Sequence, residues 1–222
     1  MILKTPVVDY TKFRLSKIND PRFSHLKLLL GWVGYFILYF LTENLIPKED
    51  CHIIYSPIDD LIPFCEYFVI FYVLWYFLIV FSLGYFLLYS IQSFKRLQVY
   101  IIITQVIAMA VYVAYPSVQN LRPDQFLNDN IFTKILSLIY AVDTPTGVCP
   151  SLHCAYSIGI ASVWSREKSA SRFTKILMWI FAFVICLSTM FVKQHSVLDF
   201  IAAIPVCLVA EFIVFVFPKT KL

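Results

Sequence analysis

Charge is scarce in this chain: only 14% of its 222 residues are Asp, Glu, Lys or Arg, and glycine occupies only 5 positions. Apolar content this high beside so little charge excludes a disordered chain, and so few glycines exclude a collagen-like repeat. The 6 cysteines, Cys51, Cys65, Cys149, Cys154, Cys186 and Cys207, lack the close paired spacing of a zinc or thioredoxin-type site. Most read as small apolar fillers, while Cys51 and Cys149 fall in loops on one side and are compatible with a pair in an oxidising compartment. No single basic stripe with stacking aromatics is present, so the net charge of +4 does not point to nucleic acid.

What the chain has in excess is hydrocarbon. Hydrophobic residues make up 60% and aromatics 18%, with a mean hydropathy of +0.77, well beyond a soluble domain. Apolar runs at 28–46, 64–89, 97–115, 151–164, 176–191 and 197–217 approach the length needed to cross about 30 Å of hydrocarbon. They predict an all-α polytopic membrane protein, a bundle of six transmembrane helices, with lipid bilayer as its first partner. The fourth run is short, so its helix either extends into the flanking Cys149, Pro150 and Ser165 or sits where the bilayer is thinned. The runs do not alternate as strands of a membrane barrel do. Between the third and fourth, Ile131, Ile135, Leu138 and Ile139 recur at helical spacing and predict an interfacial helix or lid over Ile131–Val142. Residues 10–18 allow either a weak amphipathic surface segment or a plain basic tail.

The basic residues divide by side. Lys4, Lys12, Arg14, Lys17, Arg22 and Lys27, then Lys95 and Arg96, then Arg166, Lys168, Arg172 and Lys175, and last Lys219 and Lys221, fall on one side. Cytoplasmic loops collect such residues, so this side is expected inside, with both termini. The opposite loops hold only Lys48, Arg122, Lys134 and Lys193 against many acids, and are expected outside, as in a plasma membrane of bacterial type. The organisation expected is a cytoplasmic segment 1–27, a six-helix catalytic domain 28–217 and a cytoplasmic tail 218–222. No cleavable signal precedes the first run.

Three polar clusters fall at the outer ends of the helices: Leu121-Arg122-Pro123, Cys149-Pro150-Ser151-Leu152-His153, and Lys193-Gln194-His195 with Asp199. Ionisable groups are expensive in a bilayer and mark function there. His195 and Asp199 stand at i and i+4, which on a helix lets the carboxylate accept a hydrogen bond from the imidazole and leaves the other ring nitrogen for nucleophilic or base chemistry. Pro150 and Ser151 suit a helix start whose free N–H groups cradle phosphate, and Arg122 supplies a bidentate fork. These types suit phosphoryl transfer on a substrate delivered from the membrane. A two-His, one-carboxylate metal site from His153, His195 and Asp199 stands beside that reading, as does a plain snorkelling role for Arg122. Glu211 reads as a snorkelling or helix-contact residue, Asp59 and Asp60 as a solvated loop, and His25 and His52 suggest nothing.

The order Arg-Pro, Pro-Ser-x-His and His-x3-Asp in a six-helix protein resembles the type-2 phosphatidic acid phosphatase superfamily, membrane phosphatases and phosphotransferases that share a site with vanadium haloperoxidases. The resemblance implies that His195 is a nucleophile forming a phosphohistidine, that Asp199 orients it, and that His153 protonates the leaving alcohol. Arg122 and Ser151 would hold phosphate oxygens, with no metal and no cofactor. The chain departs from the pattern where Tyr115 stands in place of a Lys and Thr189 in place of an Arg. Lys193 is expected to replace the missing Arg, and Tyr115 to add a neutral donor. Leu152 in place of Gly makes Pro-Ser-Leu-His similar to the branch containing inositol phosphorylceramide synthases, favouring transfer to an alcohol acceptor over simple hydrolysis. The leading expectation is a lipid phosphatase or phosphotransferase. The alternative is a non-catalytic lipid transporter or scaffold that keeps the fold around a degraded site.

Overall fold

The computed structural model describes residues 5–217; Lys4, Lys219, Lys221 and the tail 218–222 lie outside the described residues. The chain is an all-α polytopic bundle in which five helices among the described residues are long and apolar enough to cross a membrane. They are α1 (Leu30–Leu45, led in by a 3-10 turn at Ser24–Leu29), α3 (Val69–Tyr89), α4 (Ile91–Ala114), α7 (Arg172–Phe191) and α8 (Val197–Glu211, continued by a π turn at Phe212–Val216). The helix expected as the fourth crossing is α6, Leu152–Arg166, with 15 residues. At 1.5 Å per residue it reaches only about 22 Å.

That shortness goes with position. α6 is the central helix, packed by α3, α4, α7 and α8, and most of its side chains are buried. Small residues let its neighbours come close: a Cβ at Gly159 would stand 2.4 Å from the fully buried Tyr100 ring of α4. Close backbone approach of this kind drives helix association where lipid gives no hydrophobic reward. Phe86, Phe94, Leu97, Ile101, Ile160 and Ile185 complete the core around it. α1 differs, since it buries none of its own residues. It leans on α4, where Trp32 Nε1 donates to Gln98 Oε1 (3.0 Å) and Gln98 Nε2 to the Leu28 carbonyl (3.0 Å).

One expected boundary shifts. Lys95 and Arg96 were assigned to a loop, but α4 begins at Ile91 and only Ser90 separates it from α3. The segment 10–18, open between a weak amphipathic surface segment and a plain basic tail, forms two separate 3-10 turns. At this end of the bundle Tyr10 reaches the Leu87 carbonyl, and Glu167 accepts from Ser90 and Ser93 (2.6 Å each). Glu211 makes the helix contact, pairing with Arg166 at 2.9 Å.

The opposite end carries the long connections. α2 (Pro57–Leu61) starts at a capping box of Ser56 and Asp59, and α5 (Ile131–Val142) at one of Asn130 and Thr133. α5 occupies the expected residues and seats Leu136 against Val69 and Tyr72 at the head of α3, with Ile131, Leu138 and Val142 exposed on its other face. A short parallel ladder joins β1 (His52–Ile53) to β2 (Ser117–Val118). All six cysteines are free thiols, so Cys51 and Cys149 do not pair.

Candidate active site

Helix capping builds the centre of this end. α8 opens with a capping box: the Ser196 hydroxyl accepts from Leu198 N–H (3.1 Å), and Asp199 Oδ2 accepts from Ser196 N–H (3.0 Å). The same Oδ2 lies 3.0 Å from His195 Nδ1. With a carboxylate as acceptor, Nδ1 carries the hydrogen, and Nε2 is left with its lone pair. Asp199 is fully buried and His195 nearly so. Burial disfavours the charged imidazole, but the hydrogen bond and charge of Asp199 outweigh it, so His195 holds its proton to a higher pH than usual.

His153, in the first turn of α6, faces His195 with ring centroids 5.5 Å apart. Its ring lies between Trp75 (4.1 Å) and Tyr72 (4.6 Å), and its Nε2 is buried without a hydrogen-bond partner. A buried polar atom left unpaired is costly and marks a place where a ligand atom can bind. Both histidines line a cavity of about 580 Å³ bounded by α1, α3, α6 and the 142–148 loop. Phe36 of α1 and Tyr76 and Val80 of α3 line it while remaining half exposed or more, so the cavity opens sideways between α1 and α3.

The structure therefore brings together His195, Asp199 and His153, but it does not assemble the rest of the expected set on the cavity wall. Ser151 is fully buried and spends its hydroxyl on the α6 N-terminus, accepting from Cys154 N–H (3.4 Å), while its own N–H donates to the Asp199 carbonyl (3.1 Å). Tyr115 ends α4 and stacks on His52 at 4.0 Å, away from the cavity. Lys193 points the other way too. It stands in the left-handed region (φ 53°) just past α7, and its Nζ caps carbonyls of the α2 turn, Asp59 (2.8 Å) and Ile62 (2.5 Å). It is a clamp on α2, and the expected replacement of the missing Arg does not form.

Arg122 is near, but occupied. Its Nε (2.9 Å) and Nη2 both donate to Gln194 Oε1, Nη2 also to the Asp143 carbonyl (2.7 Å), and Nη1 to the Tyr140 carbonyl (3.1 Å). The guanidinium also lies over the Tyr140 ring at 4.5 Å. Gln194 lines the cavity and Arg122 does not, so the amide stands between the guanidinium and the space beside His195. Gln194 Nε2 in turn donates to Asp143 Oδ2 (3.2 Å), which also accepts from the Tyr72 hydroxyl (2.9 Å). Gln194, named in its cluster but given no role by the sequence reading, and Asp143, counted only among the loop acids, are functional candidates. Asp59 is a third: expected in a solvated loop, it is buried, and its carboxylate accepts from Ser196 Oγ (2.6 Å) and Val197 N–H (2.8 Å), fixing the turn that carries His195.

Among the described residues, His, Cys, Asp and Glu side chains nowhere gather in threes so as to hold a metal ion, and the two-His, one-carboxylate arrangement is not formed. The Cys149 thiol, pushed up to about 12 by burial and by neighbouring Asp199, stays protonated. Comparison of the chain with protein-family models, curated proteins and solved structures gives no match.

Proposed function

We propose that the chain is a membrane lipid phosphatase or phosphotransferase that acts through His195. The observation carrying this reading is the pairing of a buried His195–Asp199 dyad with a second histidine, His153, on the wall of one cavity that opens toward the lipid-facing surface. A lipid enters between α1 and α3 and places its phosphorus between the two rings. His195 Nε2 attacks, the Nε2–P bond forms as the P–O bond to the leaving alcohol breaks, and His153 gives that oxygen a proton. The arriving phosphate charge itself favours the protonated form of His153. Water or an acceptor alcohol then takes the phosphoryl group. The division of basic loops orients the site outward, with both termini inside.

The test is direct. His195→Asn, which retains a hydrogen-bond donor for Asp199, removes turnover on lipid phosphates, and only the wild type retains acid-labile phosphate from labelled lipid. Full activity in the variant overturns the proposal. A second reading, a non-catalytic lipid-binding protein, is favoured by one observation: no lysine or arginine among the described residues lines the cavity. It requires that the wild type show lipid binding without turnover.

A further inference from the structure

A site that handles phosphate ordinarily surrounds it with fixed positive charge. Here the cavity wall carries the opposite: among the described residues, the only Asp, Glu, Lys or Arg side chain on it is Asp143, and the remainder is dominated by aromatic rings. Trp32, Tyr35 and Tyr39 come from α1, Trp75 and Tyr76 from α3, and Tyr156 from α6. They form a continuous wall, Trp32 to Tyr35 at 6.3 Å, Trp32 to Tyr156 at 5.8 Å, Tyr156 to Trp75 at 5.6 Å and Trp75 to Tyr76 at 4.8 Å between centroids. Both protein hydrogen bonds to the Asp143 carboxylate go to Oδ2, and none goes to Oδ1. A box of aromatic faces closed by one carboxylate binds cations, and quaternary ammonium groups above all, because ring quadrupoles attract positive charge without demanding hydrogen bonds from it. The volume suits a small headgroup.

We infer that the cavity selects a lipid whose phosphate ester carries its own cation, an amine or quaternary ammonium headgroup held by the aromatic wall and Asp143. This rests on the reading of His195 as the residue that meets phosphate. It also accounts for the cation-poor wall: the ammonium of the substrate lies close to its own phosphate and supplies positive charge that the protein does not. Covalent transfer then moves the phosphate with its headgroup attached. Nε2–P forms, the P–O bond to the lipid alcohol breaks, and that alcohol leaves with the proton from His153.

The experiment compares short-chain phosphatidylcholine, phosphatidylethanolamine and phosphatidylglycerol with identical acyl chains, titrated onto purified full-length protein. Binding is read from the fluorescence of Trp32 and Trp75, calibrated with Trp32→Phe, and turnover in parallel. The two cationic headgroups bind about tenfold or more tightly than glycerol. Asp143→Asn and Tyr76→Leu weaken the cationic lipids more than phosphatidylglycerol and so reduce the preference by about tenfold. Equal affinity for all three lipids, a preference for glycerol, no binding of any, or variant losses of equal size for all three lipids overturns the inference. Free phosphocholine is a fourth arm: affinity matching the lipid assigns the cation site to a soluble phosphoester, and weak affinity to a membrane lipid. Binding is repeated in His195→Asn. Headgroup preference without any turnover in the wild type upholds the cation site and refutes the catalytic reading, whereas turnover without preference does the reverse.

Discussion

Replacing Gln194 by Ala separates the two things its amide does. In the structure Gln194 Oε1 accepts two N–H groups from Arg122, and its Nε2 donates to Asp143. For Arg122 to grip a phosphate oxygen beside His195, that acceptor has to leave. The guanidinium does not need Gln194 to keep its place, because the Tyr140 and Asp143 carbonyls and the Tyr140 ring hold it from the other side. Losing the amide therefore removes a competitor and keeps the fork. Hydrogen bonds to a charged group are worth about 1.5–3 kcal/mol net. If breaking that set costs a bound phosphate about 2 kcal/mol, Gln194→Ala tightens a phosphate mimic by about thirtyfold. The same change lowers thermal stability by about 1–2 kcal/mol, since a half-buried guanidinium loses its acceptor. Orthovanadate titrated by calorimetry measures the first effect and melting in detergent the second. Arg122→Ala on the Gln194→Ala background abolishes the gain. Unchanged vanadate affinity beside the stability loss refutes the reasoning and makes Arg122 a brace for the C-terminal end of α5.

Three further outcomes follow from the geometry. Lys193→Met leaves turnover within about threefold of wild type but lowers stability by about 1–2 kcal/mol, through loss of the clamp on the Asp59 and Ile62 carbonyls; melting and steady-state rates on one preparation check it, and a hundredfold loss of turnover contradicts it. Gly159→Ala drives a methyl group into the Tyr100 ring and destabilises by about 1–3 kcal/mol, read as a lowered melting temperature. Because Asp199 raises the proton affinity of His195 and the nucleophile must be neutral, activity falls on the acid side as His195 charges; Asp199→Asn moves that limb of the kcat/KM profile to lower pH as well as slowing the reaction, and a limb that stays in place or moves up contradicts the assignment.

The long apolar helices were legible because continuous hydrophobicity and length carry them, and α5 because its period did. The His195–Asp199 contact was legible from the spacing but not from the helix face expected: His195 precedes the Ser196 cap and lies outside α8, and the capping box turns Asp199 back toward it. What stayed hidden is the work of residues in loops. Lys193 sits two positions before His195, yet its left-handed backbone turns the side chain toward α2, and no periodicity reports such a turn. Gln194 and Asp143 meet only because the loop after α5 folds back over the α7–α8 turn. Asp59 looked solvated because its partners, Ser196 and Val197, lie far along the chain. Tyr115 was expected at the site by alignment with a motif, but its ring is taken by His52.

The Asp59 bond to Ser196 spans 137 residues, and it sets an order of assembly. A chain made from its N-terminus presents the α2 turn well before the segment that turn must grip. Until that segment has entered the bundle, the Asp59 carboxylate holds only the Ser56 N–H of its own capping box, and the cavity lacks Gln194 and His195. On the proposed reading a partly inserted chain therefore lacks its reactive centre, and any truncation ahead of Asp199 abolishes turnover however well the first helices are packed.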